Sequence, residues 1–157
     1  MKPATYWITG QPGSGKTTLG KALTDFLLSQ GVPAVHLDGD IWRSLLENLD
    51  YSAEGRRRNV VTAQKVAAFL NGFGVFVVAS FVSPVREIRE AFKAAHSVTE
   101  LYTHTSEMRG REGYFVKRYQ PPLAEFVDVD TTERSVEDTL AFLIEQLGLD
   151  KLQPLAR

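Results

Sequence analysis

The sequence predicts an α/β domain built on a mostly parallel, five-stranded sheet with helices on both faces. Three observations carry the prediction. Short β-prone runs alternate with amphipathic stretches throughout the 157 residues. One run, Val75-Phe76-Val77-Val78-Ala79, is apolar without alternation, as expected of a strand covered on both sides. The first run leads through a glycine-rich loop directly into a helical pattern, the connection that parallel strands require.

In order, Tyr6-Trp7-Ile8 reads as a buried strand ending in the loop Thr9 to Gly15. Leu19, Ala22, Leu23, Phe26 and Leu27 then recur at helical spacing until Gly31 and Pro33 stop the pattern. Ala34 to Leu37 is a second strand, which runs into the acidic turn Asp38-Gly39-Asp40. Ile41 to Leu49 reads as helix. Ser52 reads as the cap of a longer helix from Ala53 to about Asn71, closed by Gly72 and Gly74. Val75 to Ala79 is the central-strand candidate. Ser83-Pro84 predicts a helix start, Ser as cap and Pro in the first turn, leading Val85 to about Ala95. Leu101 to Thr103 is a weak strand, and Phe126 to Val129 a last short one. Between them, residues 107–125 lose periodicity and read as a long mobile loop of the functional kind. Ser135-x-x-Asp138 predicts a capped terminal helix through about Leu147. No repeat or linker divides the chain, so residues 1–157 are expected to form one domain.

Composition narrows the function. Eighteen Lys and Arg against nineteen Asp and Glu give a net charge of -1, which provides no global field for nucleic acid or for a membrane surface. With no Cys, thiolate nucleophiles, disulfides and cysteine zinc sites are excluded, and three scattered His do not rebuild a metal cage. A reducing cytoplasm is the expected location. The apolar run before Gly10 is too short for a secretory signal, and no stretch reaches the roughly 18 apolar residues of a membrane helix.

Gly10-x-x-x-x-Gly15-Lys16-Thr17 satisfies the phosphate-binding P-loop pattern in its required setting, strand before and helix after. Successive backbone N–H groups can converge there on phosphate oxygens, with the positive end of the helix dipole behind them. Lys16 is expected on the β- and γ-phosphates and the Thr17 hydroxyl on magnesium, so ATP and Mg2+ are the expected cofactors and a P-loop NTPase fold the expected frame. An Asn-Lys-x-Asp base-reading segment is missing, and Val75 to Ala79 ends in Ser80 rather than an acidic residue. A compact kinase remains. Asp38 and Asp40, at a strand end facing the loop, can accept a hydroxyl proton or hold magnesium. Arg43, one helical turn beyond Asp40, would reach the same cleft with a fork suited to phosphate or sulfate. Arg56 and Asn59 share a helix face.

Several segments, in order, resemble the adenylylsulfate kinase family. Ile8-Thr9-Gly10-x-x-Gly13-Ser14-Gly15-Lys16-Thr17-Thr18 is similar to that family's P-loop, and Leu37-Asp38-Gly39-Asp40-x-x-Arg43 to its Asp-Gly-Asp-x-x-Arg signature. Tyr51-Ser52 with Arg56-x-x-Asn59, Ser80-Phe81-Val82-Ser83-Pro84-x-Arg86, Tyr119-Gln120-Pro121-Pro122 and Asp130-Thr131 resemble its later elements. The resemblance implies phosphorylation of the 3′-hydroxyl of adenosine 5′-phosphosulfate by ATP, within sulfate assimilation. It implies nucleotide contacts from Gly10, Gly13, Ser14, Gly15, Lys16, Thr17, Thr18 and Arg109. It also implies acceptor contacts from Asp38, Arg43, Tyr51, Arg56, Asn59, Ser83 and Arg86, with Tyr51 stacking on the base where the family has Phe. Two departures stand out: Gly55 replaces the family's Asp, and the lid from Arg109 to Tyr119 is shorter. A short lid leaves open another nucleotide conjugate as acceptor, such as a cytidine diphosphoramidate or nucleotide-sugar intermediate of surface-polysaccharide synthesis. The basic residues 56–58 and 109–118 leave open a modified base in DNA. A homodimer is also left open.

Overall fold

The computed structural model describes residues 1–152, so the last five residues of the expected domain lie outside it. Five strands, β1 (Thr5–Thr9), β2 (Ala34–Asp38), β3 (Phe76–Ser80), β4 (Val98–His104) and β5 (Phe126–Asp130), form one sheet in the order β2-β3-β1-β4-β5. Every neighbouring pair is parallel. The register sets Ile8 of β1 beside Ser80 of β3 and Leu101 of β4, and Asp38 of β2 beside Ser80. All five strands therefore end at one edge, where ligands of open α/β sheets bind.

Among the described residues four α-helices connect the strands, α1 (Lys16–Ser29), α2 (Gly39–Leu45), α3 (Ala53–Gly72) and α4 (Arg86–Ala95), and α5 (Val136–Gln146) follows the last one. The two-residue period of the strands divides the core into two layers. Tyr6, Ile8, Phe76, Val78, Leu101 and Val129 pack with Leu19, Leu23 and Leu27 of α1 and Leu143 of α5. On the other face Trp7, Val77 and Ala79 pack with Val60, Ala63 and Ala67 of α3 and Phe92 of α4. Trp7 stacks on Phe81 at 5.0 Å between ring centroids. Gly20 lets α1 lie flat on the sheet, since a Cβ there would come within 2.4 Å of His36 Nε2 and Ser80 Oγ. No helix of the described residues is long and apolar enough to cross a membrane.

Four expectations are corrected. Helix α2 begins two residues early and stops at Leu45, because Asp38 caps it and Glu47 turns the chain at φ 50°. Strand β3 is offset by one residue, and β4 is longer than Leu101–Thr103 because β1 pairs with it from Val98 onward. Helix α4 starts at Arg86, and Ser83 is not its cap. Ser83 has φ 44°, its Oγ accepts a hydrogen bond from Trp7 Nε1 at 3.0 Å, and its carbonyl accepts one from the Arg89 guanidinium.

Candidate active site

The loop between β1 and α1 is shaped by its glycines. Gly10 has φ 154° and sits against β4, where a Cβ would meet the Thr103 carbonyl at 2.3 Å. Gly13 and Gly15 take φ 83° and 95°, conformations open to glycine at little cost. Gly15 caps α1 without a side-chain bond, leaving the first N–H groups of that helix available to an anion. Lys16 is 9% exposed, and its ammonium donates to the Gln11 carbonyl at 2.8 Å. Burial brings its pKa down to about 8; the negative charges of Asp40 and Asp38 work against that shift and Arg111 adds to it.

Thr17 donates its hydroxyl to Asp38 Oδ2 at 2.6 Å. The other oxygen of Asp38 accepts the backbone N–H groups of Asp40 and Ile41 at 3.1 and 3.3 Å and so starts α2. Asp38 is thus both a helix cap and the carboxylate that meets the phosphate loop. The Asp40 carboxylate lines the cleft and takes no hydrogen bond from the described residues. Ser80, at the end of β3, donates to the Lys16 carbonyl at 3.0 Å. The His36 Nε2 contact at 2.8 Å must then be a donation to Ser80 Oγ. Burial lowers the His36 pKa, which favours the neutral ring.

A cleft of about 770 Å³ gathers these groups. Of the phosphate-loop candidates, Gly13, Gly15, Lys16, Thr17 and Thr18 line it; Gly10 and Ser14 do not. The Ser14 hydroxyl is spent on Thr103 Oγ1 at 2.8 Å. Asp38, Asp40, Arg43, Tyr51, Arg56, Asn59 and Ser83 also line the cleft, so the expected acceptor residues converge on it with one exception. Arg86 turns away, its Nε donating to the Pro121 carbonyl at 2.7 Å, so it fastens the base of the lid instead.

Two geometries on the acceptor side are informative. Asn59 is 5% exposed, and its Oδ1 has no partner among the described residues. A buried amide oxygen left unpaired is costly, and a bound donor would satisfy it. Tyr51 is 61% exposed, so it is not a core aromatic, and the Arg43 guanidinium lies 4.3 Å from its ring centre. One nitrogen of Arg43 is committed to the Asn48 and Asp50 carbonyls, each at 3.0 Å, which holds the guanidinium beside the cleft.

The lid carries a single turn of 3₁₀ helix, Glu112–Tyr114, and lies on the phosphate loop. Arg109 donates to the Gly13 carbonyl at 3.2 Å and to Thr131 Oγ1 and O at 3.1 and 2.9 Å. Tyr119 is anchored on β1 through Thr9 at 2.8 Å, and burial pushes its pKa up to about 12. Beneath the lid, Arg89 is an anchor that sequence reasoning missed. It donates to Glu100 Oε1 at 2.5 Å, to the Ser83 carbonyl at 2.5 Å and to the Gln120 carbonyl at 2.6 Å, with both charged side chains 1% exposed. No local signal in the sequence pairs α4 with β4.

A parallel sheet with a phosphate loop after β1, a carboxylate turn after β2 and a cationic lid before β5 defines a P-loop kinase of small molecules. Residues 2–132 match the family described as adenylylsulphate kinase. An adenylyl-sulfate kinase of Staphylococcus epidermidis is 32% identical over 170 residues, covering 92% of this chain and 85% of that one. One from Vibrio vulnificus is 30% identical over 171 residues, covering 95% and 83%. The fold superposes on the APS kinase of Mycobacterium tuberculosis in complex with AMPPNP and APS with a TM-score of 0.81 and 25% identity, over 94% of this chain and 98% of that one. The chain belongs to the adenylylsulphate kinase family of ATP-dependent phosphotransferases.

Proposed function

We propose that this chain transfers the γ-phosphoryl group of ATP to the 3′-hydroxyl of adenosine 5′-phosphosulfate, in the cytoplasm. The observation that carries the reading is the 2.6 Å bond from Thr17 to Asp38, which joins the phosphate loop to the carboxylate turn inside the cleft that Tyr51, Arg56 and Asn59 also line. The triphosphate lies along the N–H groups of residues 13–18, and Lys16 leaves the Gln11 carbonyl to reach the β- and γ-phosphates. Arg109, already over Gly13, covers them.

The acceptor occupies the far side. Tyr51 gives a face for the adenine, Arg43 and Arg56 pair with the phosphosulfate, and a donor on the acceptor satisfies Asn59 Oδ1. Asp40 takes the 3′-hydroxyl proton as the oxygen attacks, because its carboxylate is free while both oxygens of Asp38 are engaged. Thr17 and Asp38 supply the hard oxygen donors that magnesium selects, and one or two such protein ligands with substrate phosphates make its usual set. When bound, the ion neutralises charge on the β- and γ-phosphates.

The test is an acceptor panel. Purified protein with MgATP is offered adenosine 5′-phosphosulfate, cytidine diphosphate conjugates and sugar nucleotides, and ADP release is followed. Turnover with the phosphosulfate at least about a hundredfold above the others is expected, a discrimination on the order of 2.7 kcal/mol in the transition state. Equal or better turnover with another conjugate overturns the assignment.

A further inference from the structure

Gln11 occupies a position that the phosphate-loop pattern leaves unspecified, yet it makes a paired contact with the lid. Its Nε2 donates to the Val116 carbonyl at 2.9 Å, and its Oε1 accepts the Val116 N–H at 2.9 Å. One amide side chain thereby satisfies both backbone groups of a single residue, as a neighbouring strand would. The Gln11 carbonyl accepts from the Lys16 ammonium at 2.8 Å and from the Ser14 N–H at 3.2 Å. Val116 in turn stands between two spaces. It lines the main cleft and also a second, largely apolar recess of about 480 Å³, lined as well by Arg56, Val60, Pro84 and Ile88.

We propose that Gln11 is a positioning residue that fastens the lid to the phosphate loop, so that one residue of that loop sets the shape of the acceptor wall. The role in acceptor binding rests on the function proposed above; the latch itself does not. When a triphosphate draws Lys16 off the Gln11 carbonyl, the backbone at Gln11 is the part of the loop that must readjust, and its side chain transmits that readjustment to Val116. With the latch closed, Val116 forms a fixed wall beside Arg56. With it open, the wall retreats and the acceptor loses a contact that the donor nucleotide keeps.

Gln11→Met tests this, because it keeps the side-chain length and the carbonyl used by Lys16 while deleting both bonds to the lid. Hydrogen exchange at the Val116 amide is measured in the ligand-free protein, with amides of β1 and β3 as internal references. Exchange at Val116 should quicken by about tenfold, the effect of losing one or two ordinary hydrogen bonds, with the reference amides unchanged. KM for the acceptor should rise by about as much, and ATP affinity should stay within about twofold. Gln11→Glu serves as the second variant and covers the case in which the methionine protein does not fold. Its carboxylate can still accept the Val116 N–H but opposes the Val116 carbonyl, so amide protection should survive while acceptor KM rises. Unchanged Val116 exchange in Gln11→Met overturns the latch. Faster exchange with acceptor KM and ATP affinity changed equally, or not at all, overturns its positioning role. If the wild-type protein rejects adenosine 5′-phosphosulfate, the exchange measurement still reads the latch, so the two failures are separable.

Discussion

Replacing Asp40 by Asn removes one charge from the cleft and almost nothing from the fold. The carboxylate takes no hydrogen bond from the described residues, and its structural contribution is that of an acid in the first turn of α2. Such a charge stabilises a helix by about 0.3–1 kcal/mol, so the melting temperature should fall by no more than about 2–4 °C. The catalytic effect should be far larger. An amide cannot take the proton of the attacking hydroxyl, and loss of a general base lowers turnover by about two to four orders of magnitude, roughly 2.7–5.5 kcal/mol in the barrier. A smaller effect on ATP follows from the electrostatics, because Asp40 is the leading charge that helps Lys16 keep its proton. Steady-state kinetics with saturating MgATP and varied acceptor, alongside a thermal melt, reads all three quantities. Turnover within about tenfold of wild type would refute the assignment of the base. So would a collapse in melting temperature, since the carboxylate would then be structural.

Asp38→Ala should behave in the opposite way. It loses the cap of α2 and the partner of Thr17, about 2 kcal/mol together, so the melt should drop by roughly 4–8 °C and the magnesium concentration for half-maximal rate should rise. Lys16, with a folded pKa of about 8 against an ordinary 10.5, must be charged to bind phosphate. The unfolded chain holds the proton between those two values and the ligand-free fold does not, so the penalty of burying the ammonium is full below pH 8 and is relieved as pH rises to 10.5. ATP binding should therefore take up protons at pH 8.5 but not at pH 7, and should weaken above pH 8; calorimetry in two buffers of different ionisation enthalpy measures this. Arg89→Met leaves Glu100 buried with only Lys93, at 2.7 Å, to offset it. Breaking such a pair costs about 3–5 kcal/mol, a drop of roughly 6–20 °C, and adding Glu100→Gln should recover part of it.

Much of the fold was legible because its signals are local. The glycine-rich loop after β1, the cap at Ser52 and the unbroken apolar run of β3 each state their structure within a few residues. The phosphate-loop side of the cleft shares that property, since Lys16, Thr17, Asp38 and Asp40, which line it, sit in contiguous motifs at strand ends. Ser83 misled as a helix cap and Arg86 as an acceptor contact, because a motif gives position along the chain but not the direction of a side chain. Ser83 is turned into the core by Trp7, and Arg86 is drawn to Pro121. The Arg89–Glu100 pair and the Gln11–Val116 latch were not readable at all. Each joins segments that only the sheet order brings together, and an arginine on α4 or a glutamine in a loop reads as a solvated side chain until its partner is known.

The central claim, transfer to the 3′-hydroxyl, is tested most directly by identifying the product. Protein incubated with MgATP and adenosine 5′-phosphosulfate is followed by phosphorus NMR, beside a parallel reaction with the 3′-deoxy acceptor. A new phosphomonoester on the ribose 3′-oxygen, formed in step with ADP and absent with the 3′-deoxy compound, is the predicted result. ADP formed at the same rate with the 3′-deoxy acceptor, or a phosphoryl group found elsewhere on the nucleotide, would contradict it.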